Sequence, residues 1–173
     1  HSRWNELNRA DFTFRRSQAR DPYKGFVMLE PQAAPQLRPA IEGIEETAPL
    51  LEKNQYWLEA IIRLCQTEGI ELWIVKSPSN LEVEEKPCLN TVRAIAAKYG
   101  VPFHDFNEDY CAIGLTEDMF YDAHHLDALG ATRFSRYFAD ELAAARPGLS
   151  ADPDDPVWAA YLETYHHALA AFG

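Results

Sequence analysis

The sequence predicts an α/β domain with a mainly parallel sheet, and three features carry that expectation. An apolar run, Leu72-Trp73-Ile74-Val75, precedes a helix-spaced stretch and then a second short run, Val101 to Phe106. Gly69 and Gly100 stand where helices should stop, and Pro78 closes the first strand. Strand, helix and strand at this spacing make a right-handed crossover, whose two strands run parallel.

Residues 1–50 are expected to be irregular, with one strand at Phe26 to Leu29, because Pro31, Pro35, Pro39 and Pro49 interrupt the rest. Residues 51–147 form the body. Its first helix starts at Asn54 as N-cap and turns Trp57, Leu58, Ile61, Ile62, Leu64 and Cys65 inward. The crossover helix spans about 87–99, with Leu89, Val92, Ile95, Ala96 and Tyr99 inward. A third helix runs from Asp127 to Arg146, with Leu129, Phe134, Phe138 and Leu142 on its inner side, and Pro147-Gly148 ends it. Residues 148–173 are an acidic linker and a tail helix, Val157 to Phe172, with Trp158, Tyr161, Leu162, Tyr165 and Leu169 on one face. That face suits covering a sheet edge of its own domain or pairing with a second copy. All three parts are read as one domain. Three strands make a thin sheet, so further strands are expected outside this chain.

Composition narrows the function classes. With 47% hydrophobic and 25% charged residues, the 173-residue chain is ordinary globular material. A net charge of −11 argues against a nucleic-acid partner, which needs a basic surface to displace counterions. Residues 1–24 depart from this, with six basic against three acidic groups, a local +3 that leaves −14 elsewhere. Docking of that arm on the acidic body is the plainer reading; contact with phosphate or an anionic membrane is the other. No apolar run is long enough to span a bilayer, so membrane contact is expected only through segments outside this chain. Cys65, Cys88 and Cys111 form no C-x-x-C pair, so neither structural zinc nor a disulfide framework is implied. No cofactor and no metal is expected, and the oligomeric state is open.

In parallel α/β sheets, ligands gather beyond the carboxyl ends of the strands. Ser77, Ser79 and Asn80 follow the first strand, Asp105, Asn107, Glu108 and Asp109 the second, and the loop Phe120 to Asp127 leads into a helix. Ser77, Ser79, Asn80 and Asn107 are the candidate substrate-binding residues; the other reading of Ser77-Pro78-Ser79-Asn80 is turn and helix-capping chemistry. Asp122 and His125 are the candidate catalytic pair. Three residues apart on a turn, the carboxylate can accept the imidazole Nδ1 proton and leave Nε2 free to take a proton from a nucleophile. The alternative is a capping loop with a structural His–Asp bond. Asp127 can cap the following helix, and Gly130, a poor helix former, suggests close packing in its first turn. His104, Asp105, Asp122, His124 and His125 could instead offer metal ligands, although neighbours in a strand face opposite ways.

The stretch Phe120 to Leu142, FYDAHHLDALGATRFSRYFADEL, resembles the closing block of SGNH (GDSL-type) hydrolases, in the divergent branch related to cell-wall D-alanylation and alginate O-acetylation proteins. Leu72 to Asn107, with WIVKSPSN and KYGVPFHDFN, resembles the strands before that block, so the similarity spans roughly residues 70–142. It implies a three-layer α/β/α, flavodoxin-like fold, incomplete in this chain, with His125 as general base oriented by Asp122. It also implies an ester hydrolase or O-acyltransferase acting on an acylated carbohydrate or small ester of the cell envelope, in an extracytoplasmic, membrane-tethered protein. The family's nucleophilic serine stands in a Gly-Asp-Ser-like block that is absent here, so the resemblance puts it upstream. Two rival readings are a non-catalytic binding or assembly module on the same scaffold and a metal-dependent phosphoesterase.

Overall fold

The structure, a computed structural model, describes residues 26–32, 38–149 and 155–172. The described residues divide into two compact units, one within residues 28–149 and one made of residues 26–27 with 155–171.

In the larger unit, helix α1 (Glu52–Thr67) starts three residues earlier than the Asn54 cap predicts. Leu51 is the capping residue, and the amide of Asn54 already donates to the Leu51 carbonyl, so Asn54 lies inside the first turn. Gly69 ends the helix at φ +66°, a left-handed position that glycine occupies without a Cβ penalty. Strand β1 (Ile74–Lys76) follows, then α2 (Lys86–Lys98) with Pro87 in its first turn, then β2 (Phe103–Asp105). The strands pair in parallel, Ile74 opposite Phe103 and Lys76 opposite Asp105, as the crossover requires.

Alternation along β2 places a helix on each face of this pair. Phe103 and Asp105 face α2, where the Arg93 guanidinium lies 5.2 Å from the Phe103 ring and Lys86 bonds Asp105. His104 faces the other way. Its ring stacks between those of Trp73 and Phe106, and Phe106 meets Phe134 and Phe138 of α4 (Ala128–Ala145) edge-on at 5.2 and 5.6 Å. The core therefore sits on the α4 side, where Phe106, Tyr110, Ile113, Leu115 and Phe120 are buried together. The short helix α3 (Tyr110–Ile113) and a 3-10 turn (Glu117–Met119) wrap the chain around it.

Two expectations need correction. Phe26 to Leu29 is irregular rather than a strand; the Leu29 carbonyl accepts from the Ala128 amide at the start of α4 and joins no ladder. The described residues hold two strands only, a mixed helix-and-strand arrangement around a short parallel pair. The inward face of α1 is also narrower than its periodicity suggests. Ile62 is fully buried, while Trp57, Ile61 and Leu64 remain more than half exposed.

In the smaller unit, α5 (Pro156–Leu169) is capped by Asp155, whose carboxylate accepts from the amides of Val157 and Trp158. Tyr165 packs edge-on against Phe26, with ring centroids 5.8 Å apart. Trp158 and Leu162 on this helix are more than half exposed. No helix among the described residues is long and apolar enough to cross a membrane.

Candidate active site

A tight loop presents Asp122 and His125. Phe120 and Leu126 pair as a single antiparallel bridge, and the Tyr121 amide donates to the His125 carbonyl at 2.9 Å, which closes the loop on itself. Its base is anchored on both sides. Phe120 is fully buried, and Asp127, 1% exposed, donates its amide to the Met119 carbonyl while its side chain accepts from the Gly130 amide at 2.7 Å. That carboxylate is the N-cap of α4, as predicted. Asp127→Ala should lower stability by about 1–2 kcal/mol, read as a shifted denaturant midpoint, because the first-turn amide loses its acceptor.

The Asp122 carboxylate gathers three donors. The amides of His124 and His125 reach Oδ1 at 2.8 and 2.9 Å, and His125 Nδ1 lies 2.9 Å from both oxygens. The His124 amide does most to hold Asp122 below the ordinary carboxylate range; its slight burial opposes this, and the His125 ring and amide add to the lowering. An ionised Asp122 fixes the proton on Nδ1 and leaves Nε2 as the basic nitrogen. The imidazole is 64% exposed, so Nε2 is open to an incoming group.

The loop after β1 touches this one directly, since the Asn80 amide donates to the Ala123 carbonyl at 2.9 Å. Behind it runs a buried polar chain. The Ser79 amide donates to Asn107 Oδ1, Asn107 Nδ2 donates to Asp105 Oδ1, and Lys86 Nζ donates to Asp105 Oδ2 at 2.8 Å and to Glu108 at 2.9 Å. Burial would raise the Asp105 pKa, but the hydrogen bonds from Lys86 and Asn107 outweigh it and hold the group low. Burial likewise works to lower Lys86, and its bonds to the two carboxylates overcome that and raise it. Lys76 Nζ donates to Ser79 Oγ at 2.7 Å and to the Ser77 carbonyl; its pKa is lowered, chiefly by burial.

Of the residues singled out in the sequence, Asp122 and His125 meet at bonding distance, and Asn80 stands against their loop. Ser79 and Asn107 are buried supports behind it, and Ser77 is exposed at the strand end. Ser79 is 5% exposed, and its hydroxyl is bonded to Lys76 rather than to a histidine. Periodicity passed over Lys76 and Lys86. Lys86 had left a signal, since a cation in the first turn of a helix opposes the dipole and calls for a carboxylate partner.

His104 and Asp105 face opposite sides of β2, with Asp105 committed to Lys86. Among the described residues, no three His, Cys, Asp or Glu side chains converge as metal ligands. A cavity of about 770 Å3 lies beside α2, lined by residues that include Arg38, Asn90, Arg93 and Glu108, and His125 is not part of its wall. Set against known proteins, the chain matches no family model, no curated protein and no solved structure.

Proposed function

We propose that this chain belongs to an SGNH-like ester hydrolase or O-acyltransferase acting on an acylated carbohydrate or cell-envelope substrate. A carboxylate on Nδ1 of an imidazole whose Nε2 is exposed, beside the carboxyl end of a parallel pair, is the observation that carries this reading. The helices on either face of the β-pair are compatible with one part of a three-layer, flavodoxin-like sheet whose remaining strands lie outside these residues. Membrane tethering and an extracytoplasmic location belong to the same proposal.

In this mechanism a serine hydroxyl attacks the ester carbonyl while His125 Nε2 takes its proton. The imidazolium returns that proton to the departing alkoxide, leaving an acyl-enzyme that water or an acceptor hydroxyl resolves. In this reading the serine is supplied from outside residues 1–173, where the resemblance puts it; among the described residues, Ser79 is buried against Lys76 and Ser135 lies within α4. Ser77, exposed at the strand end, is the substrate-facing residue in this arrangement; Asn80, which is 3% exposed, holds the loop together with Ser79 and Asn107.

The test is turnover of a chromogenic acetyl ester by the full polypeptide. His125→Ala should lower kcat/KM by about 10²–10⁴-fold, the usual worth of a general base. Asp122→Asn should lower it less, because Nε2 survives but its tautomer is no longer enforced. Equal rates in wild type and His125→Ala remove the proposal. One observation favours a non-catalytic binding module instead: no serine among the described residues bonds His125.

A further inference from the structure

Helix α1 carries two apolar stripes and uses one of them. Leu58, Ile62 and Cys65 form the packed stripe, with Ile62 fully buried. Trp57, Ile61 and Leu64 repeat the same spacing one position away, about 100° around the helix. They are 55%, 51% and 59% exposed. Single exposed apolar residues are ordinary; these three stand in register along one stripe.

The charges that flank this stripe say what fits it. Lys53 stands one turn before Trp57 and Glu68 one turn after Leu64, both exposed. Each is at the wrong end for its own helix, since the dipole favours anions at the N-terminus and cations at the C-terminus. Neither forms an ion pair with any described residue.

We propose that this stripe is the interface of a homodimer in which α1 packs antiparallel against α1 of a second copy. A two-fold axis between Ala60 and Ile61 sets Trp57 against the partner's Leu64, and the small side chain of Ala60 lets the helices approach at their crossing. The same axis brings Lys53 opposite the partner's Glu68, twice in the dimer. Placements that oppose the dipole within one helix thereby become complementary across two. Parallel packing would set lysine beside lysine and glutamate beside glutamate, so the charges select the antiparallel arrangement.

Sedimentation equilibrium from micromolar to millimolar concentration, at low salt, tests this. Wild type should reach a dimer. Ile61→Glu should raise the dissociation constant by at least about a hundred-fold, as expected for a residue at the centre of an interface. Because Ile61 is already exposed in the monomer, that variant should keep its helical circular dichroism. Lys53→Glu alone should weaken the dimer, and adding Glu68→Lys should restore it, because the two reversed charges face each other again. A wild type that stays monomeric throughout overturns the proposal. So does a dimer indifferent to Ile61→Glu, or a double reversal as weak as the single one.

Discussion

Lys86→Met should lower the unfolding free energy by about 3–5 kcal/mol, the expected cost of leaving a buried charge without its partner. The side chains of Lys86 and Asp105 are 6% and 0% exposed, so water cannot replace the lost ammonium. Asp105 also anchors Asn107, which holds the Ser79 amide, so the loss should spread to the loop that carries Asn80. Urea titration would read the effect as a lower midpoint. Adding Asp105→Asn should recover much of it, because the remaining amide oxygen still accepts from Asn107 and no charge stays buried. The pH dependence separates this from a simple packing defect. In the wild type Asp105 is held below its unfolded value, so its contribution is present above about pH 4 and fades as the pH falls through the folded value. In Lys86→Met, burial is opposed by the Asn107 hydrogen bonds alone, so the Asp105 pKa rises above its wild-type position and the variant suffers most at neutral pH. The two stability curves should converge toward acid. A gap that stays constant from pH 7 to pH 3 would assign the loss to packing alone.

Gly130→Ala should destabilise the protein by about 1–3 kcal/mol, the range seen when atoms are forced into a packed site. Helix propensity alone predicts the opposite, a gain of about 1 kcal/mol for alanine over glycine inside a helix. The contact decides the sign. A Cβ on Gly130 would lie 2.4 Å from the Met119 carbonyl oxygen and 3.1 Å from Leu126 Cδ2. The nearest of these is backbone, and it is the same carbonyl that accepts from the Asp127 amide, so relief must move the base of the Asp122–His125 loop. Thermal unfolding should show a lower Tm, by roughly 2–4 °C per kcal/mol for a chain of this size. The histidine Nδ1 proton should become harder to observe by NMR as the Asp122 bond loosens. A raised Tm would mean that the turn yields freely and that glycine is there for another reason.

Much of the candidate site could be read in advance because it is local. Asp122, His125, Asp127 and Gly130 fall within nine residues, and each interaction between them spans three positions, so the turn itself brings them together. The limits of α2, β2 and α4 were read to within two residues from periodicity and from the caps and breakers beside them. The polar support behind the loop was not legible. Its bonds join Lys86 to Asp105 and Ser79 to Asn107 across 19 and 28 residues, and no spacing rule covers such partners.

Phe26 to Leu29 shows the same limit from the other side. Four apolar residues have the composition of a strand, but a strand exists only where another edge pairs with it, and the Leu29 carbonyl finds a helix amide instead. On α1, periodicity marked six apolar positions and could not divide them, because burial depends on which neighbours arrive.

Sequence alone determined the parallel crossover, the four longer helices, the α4 cap and the carboxylate–imidazole pair, all of which follow from backbone preference and contacts a few residues long. Only the tertiary structure decided which apolar faces were covered, which charges were buried together, and where the Phe26–Leu29 backbone found its partner. Those outcomes are energies between distant segments, set once the chain has closed its long loops, and no local pattern records them.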